Sequence, residues 1–165
     1  MATNLFDKHS DKLAGTWSLI SFEMFDPHNS QKVIHKPHGD EPLGKVVISQ
    51  SGYLSAILRS PLDMKPLQND EWIKASDDEV LSTVRSLSCY AGPMTLLERE
   101  DGGFLWHTHV EISHNPNWIG KVQTRNADYT EDNGQAYMTL RPVNLYSLED
   151  GRKARPVLKW KKVAT

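Results

Sequence analysis

The chain has 165 residues, 38% hydrophobic and 24% charged, which suits one folded domain, since about 150 residues bury roughly 68–70% of the unfolded surface. Nineteen basic and twenty-one acidic residues are interspersed and give a formal net charge of -2, with no basic patch, so neither nucleic acid nor an anionic membrane is an expected partner. No apolar run approaches the roughly 20 residues of a membrane helix, the start MATNLFDKHSDK lacks the apolar stretch of a signal peptide, and the single Cys89 has no disulfide partner in the chain, so the expected location is cytoplasmic.

The first predicted strand, 15–26, is entered through LAGTWSLISFE, where Gly15 permits a close approach and Trp17 offers a broad apolar ring. Residues 27–43 read as a polar loop with a short strand around Val33 and Ile34. Strands at 44–50 and 53–59 follow, joined by the turn SQSGY. One helix is predicted over 76–90, SDDEVLSTVRSLSCY. Ser76 caps it, Asp77, Asp78 and Glu79 suit the positive end of its dipole, and Val80, Val84 and Leu87 share a face. Strands at 93–99, 103–112, 118–126 and 135–142 are linked by EREDGGF, SHNPNW and ADYTEDNGQAY, in which Asp-Gly and Asn-Gly supply the positive φ of tight turns. The last strand, 156–163, carries VLKWKK, with Trp160 before Lys161 and Lys162.

Sequential antiparallel strands with hairpin turns suit an up-and-down barrel, because closure removes exposed edges. About eight strands leave room for one small ligand. Such a barrel needs one end plugged, and Trp17 serves that purpose, with Trp160 beside it because first and last strands are neighbours in a closed barrel. The helix is then expected outside the barrel or across its opening.

LAGTWSLISFE, GYLSAIL, YAGPMTL, HTHVEISHNPNWIGKVQTR and LKWKK, in that order along nearly the whole chain, resemble the lipocalin-like domain family. The resemblance implies an all-β, calycin-type antiparallel barrel of about eight strands with one short helix, as a single domain over 1–165. Some fungal members resemble cofactor-free cyclases of secondary metabolism, including hetero-Diels-Alderases that join a polyketide-derived unit to a terpene. The family's end pattern places an arginine just after the tryptophan. Here Lys161 and Lys162 stand there, so a stacked guanidinium over Trp17 is not to be expected.

The densest group of candidate site residues lies in FLWHTHVEISHNPNWIGKVQTR. In a strand, Leu105, His107, His109 and Glu111 share one side, while Phe104, Trp106, Thr108 and Val110 share the other. On the return strand Ile119, Lys121, Gln123 and Arg125 share a face. With matched registers, His107, His109, Gln123 and Arg125 meet on one pocket wall as the candidate catalytic set, although periodicity does not say which face is inside. The two histidines admit a metal site, acid–base chemistry or a structural role. No third ligand accompanies the pair, so no metal and no cofactor are expected.

The candidate substrate-binding residues are Glu23, Tyr53, Tyr90, Trp106 and Trp118. One of the two tryptophans is expected in the cavity and the other under the helix. Glu23 enters the cavity with Trp17, Leu19 and Ser21 unless a bulge turns it to solvent. No phosphate loop, dinucleotide glycine fingerprint, Gly-x-Ser-x-Gly elbow or zinc-protease motif is present. The function expected from the resemblance is a cofactor-free cyclase or pericyclase acting on a hydrophobic polyketide- or terpene-derived intermediate. Its rivals are a carrier or sensor of a small apolar ligand and a metal-dependent isomerase using the His-x-His pair. The expected partner is a hydrophobic small molecule, and a homodimer is compatible with the same reading.

Overall fold

Alternation of buried and exposed side chains is the imprint of a strand with one face on a core, and β4 (Tyr53–Arg59) shows it plainly: Leu54, Ala56 and Leu58 are buried while Tyr53, Ser55 and Ile57 are exposed. The computed structural model describes residues 3–165. Before β4 come helix α1 (Phe6–Leu13), β1 (Gly15–Asp26), β2 (Asn29–His35) and β3 (Leu43–Ile48). After it come helix α2 (Asp77–Val84), β5 (Ser88–Glu98), β6 (Phe104–His109), β7 (Ile112–Ser113), β8 (Val122–Asp132), β9 (Gln135–Pro142), β10 (Tyr146–Ser147) and β11 (Lys153–Ala164).

Eight strands pair antiparallel in the order β1-β3-β4-β5-β6-β8-β9-β11, and β11 returns to pair with β1, so the sheet closes into a barrel. The three short strands add to it: β2 extends the far end of β1, β7 pairs with β5, and β10 with β11. The β8–β9 hairpin turns through Asn133 and Gly134, both at positive φ, as its Asn-Gly predicts. No described helix is long and apolar enough to cross a membrane.

Two expectations change. The helix expected over 76–90 keeps its capping box between Ser76 and Glu79 but spans only Asp77–Val84, buries no residue and contributes nothing to the barrel lining. From Ser88 the chain is already strand β5, with Gly92, Met94 and Leu96 buried at period two. In the other direction, Phe6–Leu13, where no element is expected, forms α1.

This helix is the barrel's plug. Asn4 anchors it, its side-chain oxygen accepting from the backbone N–H of Phe6 at 3.0 Å and of Leu96 on β5 at 2.9 Å. Phe6 and Leu13 are its buried residues. The last carbonyls of a helix have no partner within it; here Trp17 Nε1 donates to Leu13 O at 2.9 Å, and Lys162 Nζ donates to Lys12 O at 3.0 Å and Asp11 O at 3.4 Å. The Gly-x-Trp motif follows from this packing. Gly15 has φ +127, and a Cβ there would stand 2.4 Å from the carbonyl oxygen of Ala164, so only glycine lets β1 begin so close to the end of β11.

Trp17 lies opposite Lys162, and Leu19 opposite Trp160. The tryptophans therefore occupy successive layers of one buried cluster, Trp17 at the plugged end and Trp160 one layer nearer the cavity. The Lys162 ammonium sits 5.7 Å from the centre of the Trp17 ring. Burial lowers its pKa from the usual lysine value, in accord with a cation held against apolar surface. Lys162→Met keeps the aliphatic stem but removes the charge and both hydrogen bonds. It is expected to cost about 1 kcal/mol in urea unfolding, with the m value unchanged.

Candidate functional site

At the end of the barrel opposite α1, the inward side chains stop short of filling the interior and leave a partly enclosed cavity of about 200 Å³. A dry cavity of about 150 Å³ is enough for benzene, so there is room here for a small organic molecule. The walls are apolar: Val46 from β3, Leu54, Ala56 and Leu58 from β4, Leu140 from β9 and Leu158 from β11, with the Trp106 and Trp160 rings among them. Around the rim stand Phe22 near the end of β1, His38 on the loop after β2, Trp118 on the single turn Pro116–Trp118, and Tyr146 of β10.

Polar groups gather on one side of this lining. Arg125 of β8 lies between Trp106 and Pro142 in the strand register and is only 9% exposed. Its guanidinium donates to Thr124 O at 3.0 Å and takes part in none of the ion pairs among the described residues. Tyr90 and Tyr146 bring two hydroxyls to the same lining. Burial pushes the Tyr146 pKa above the ordinary tyrosine value, the Arg125 charge pulls it back, and Tyr90 adds to the rise, so the three groups lie within electrostatic reach of one another.

His38 is 6% exposed with its ring edge-on to Phe22 at 5.1 Å, and burial lowers its pKa despite the opposing influence of Asp63 and the Ser86 backbone. The Trp106 indole is already committed to Thr108 Oγ1 at 3.0 Å, whereas Trp160 Nε1 is buried without a partner among the described residues. The Trp118 ring is held edge-on by Tyr90 at 5.8 Å and by His114 at 5.2 Å.

Of the residues singled out in the sequence, Arg125, Tyr90, Trp106 and Trp118 line this cavity together. Both tryptophans are in the lining, so the expectation that one packs under the helix is corrected. His107 and His109 are not brought to the wall that Arg125 occupies. On β6 it is Trp106 and Thr108 that turn inward and are buried, so the histidines project from the outer surface, His107 with Nδ1 at 3.0 Å from Thr124 Oγ1 and the exposed His109 with Nε2 at 3.4 Å from Thr95 Oγ1. Among the described residues no three His, Cys, Asp or Glu side chains converge as a metal site would require.

Gln123 shares the inward parity of Arg125 and pairs across from Thr108, but it does not reach the cavity. Glu23 is turned outward by an irregularity between Leu19 and Ser21, after which Phe22 lines the cavity and Met24 is buried. Tyr53 is on the outer face of β4, where its hydroxyl donates to Glu111 at 2.7 Å.

Phe22, His38 and Tyr146 were not recognisable as site residues beforehand. His38 and Tyr146 sit in segments whose composition says only loop, and they meet because the connections after β2 and β9 both fold over the open end. Phe22 depended on the β1 irregularity.

No curated protein and no solved structure was found to match the chain. A model of the lipocalin-like domain does match, over residues 14–163, from the strand that begins beside α1 to the end of β11 that closes against it. With that match over nearly all of a closed eight-stranded antiparallel barrel, the chain belongs to the lipocalin-like domain family.

Proposed function

We propose that the barrel takes up one small apolar molecule with an oxygen facing Arg125, Tyr90 and Tyr146, and promotes its cyclisation without a cofactor. The observation that carries this reading is the lining itself: apolar walls on most sides and three oxygen-directed donors on one. Such a cavity orients a ligand by its shape and by one polar group. Holding reacting atoms in a single folded geometry is worth roughly 7–11 kcal/mol of barrier, so an intrinsically reactive polyketide- or terpene-derived intermediate requires no catalytic triad. Arg125 and the tyrosine hydroxyls would hydrogen-bond the carbonyl of an enone or quinone methide and lower its acceptor orbital, while Trp106 and Trp118 select the face that reacts.

The test offers the protein a small quinone-methide precursor that carries its own olefin and reads rate and product enantiomers by chiral chromatography. Acceleration with one enantiomer in excess is the expected result. If the protein binds the precursor while rate and enantiomer ratio stay at the values without protein, the cyclase reading falls and the barrel is a carrier.

A further inference from the structure

Arg125 poses a problem that the apolar walls do not solve. A guanidinium remains charged at any pH a protein tolerates, and burying it without a counter-charge costs several kcal/mol unless something compensates. Arg125 is nine-tenths buried, has no carboxylate within ion-pair distance among the described residues, and spends one of its nitrogens on the neighbouring Thr124 carbonyl. Among the described residues it is the one in the lining with a permanent charge. The other basic group in the lining, His38, has its pKa lowered by burial, so near neutral pH it adds no competing cation. Tyr90 and Tyr146 belong to the same lining, and Tyr146 lies within electrostatic reach of both Arg125 and Tyr90.

Building on the reading that the cavity holds a small molecule, we infer that its ligand carries an anionic oxygen, with Arg125 as the counter-charge and the Tyr90 and Tyr146 hydroxyls as donors to it. A neutral carbonyl alone would satisfy the N–H groups but leave the buried charge uncompensated, whereas a ligand that carries an anionic oxygen beside its carbonyl addresses both. The guanidinium fork and two phenolic donors suit a carboxylate or an ionised phenol or enol equally, because each offers a compact oxygen anion attached to an apolar body. The rest of the ligand has to be small, about the size of one ring with short substituents, to fit within about 200 Å³. The arrangement would hold such an anion in a dry setting where its charge is not dispersed by water.

The experiment uses the whole chain and two probe pairs. 4-Nitrophenol, whose ionisation is visible by absorbance, is titrated with pH in the presence and absence of protein. Its methyl ether, 4-nitroanisole, serves as the neutral shape match. Octanoate is compared with 1-octanol by calorimetry.

An ionised probe bound about tenfold or more tightly than its neutral counterpart, seen for 4-nitrophenol as a fall of about one pKa unit or more on binding, is the expected result. The arm that shows the preference tells phenolate from carboxylate recognition. Arg125→Met should bring the ionised and neutral probes to equal affinity, while Arg125→Lys should retain part of the preference. Equal binding of ionised and neutral probes to the wild-type chain overturns the inference yet leaves the small-molecule reading standing. A preference that survives Arg125→Met overturns it too. If no probe binds, neutral ones included, both readings fall together.

Discussion

Replacing Ala56 by phenylalanine is expected to weaken ligand binding by about 100-fold or more, and turnover with it, while leaving the barrel folded. Ala56 is 3% exposed, lines the cavity from the middle of β4, and stands opposite Val46 on one side and Tyr90 on the other. An aromatic ring built there points into the space a ligand would occupy, since flanking positions on the strand alternate away from it. In a filled core such an enlargement would cost about 1–3 kcal/mol, but here the added ring enters an empty space and gains apolar contact, so unfolding stability should hold or rise. A 100-fold loss is about 2.7 kcal/mol of binding. Calorimetry with 4-nitroanisole and urea unfolding on the same sample separate the two effects. Undiminished binding by a folded Ala56→Phe chain would mean that the ligand site lies elsewhere.

The second large effect is at the plugged end. Trp17→Ala is expected to destabilise the chain by about 3–5 kcal/mol and to lower its melting temperature by about 10 °C or more. Trp17 is fully buried, meets Tyr129 edge-on at 6.3 Å, supports the Lys162 ammonium and holds the Leu13 carbonyl. Its removal therefore opens a cavity, strips one carbonyl of its donor and takes away the ring beneath a cation. The loss should be felt first by α1, whose attachment depends on these contacts, so limited proteolysis of the variant should cut within Phe6–Leu13 before it cuts the barrel. Trp17→Phe keeps part of the packing and should recover part of the stability. A cost below about 1 kcal/mol for Trp17→Ala would show that the helix is held by its other contacts.

The plug and the cavity separate stability from function along the barrel axis. Trp17, Leu13 and Lys162 act at one end; Arg125, Tyr90, Tyr146 and Trp118 act at the other, with Trp160 in a layer between them. Ligand-directed substitutions at the open end can therefore be tested without disturbing the helix that closes the barrel.

Much of the architecture was legible in the residues. The alternation within β4, the Asn133–Gly134 turn and the paired tryptophan segments each express a local rule of strand or turn geometry, and local rules suffice to order eight sequential antiparallel strands. Gly15 likewise marks a close approach, whereas the plug expected of Trp17 alone is formed by α1, with Trp17 packed beneath it. What the residues left open was which side of each strand is the inside. Alternation is unchanged when the two faces are exchanged, and β6 carries polar and apolar side chains on both. The choice falls to the neighbours: pairing with β8 sets Trp106 against Arg125 inside the barrel and sends His107 and His109 out.

The irregularity between Leu19 and Ser21 decides in the same way that Phe22 faces the cavity instead of Glu23. The open end belongs wholly to the tertiary structure. His38, Trp118 and Tyr146 come from segments far apart along the chain, and closure of β11 on β1 is what brings the loops that carry them around one mouth.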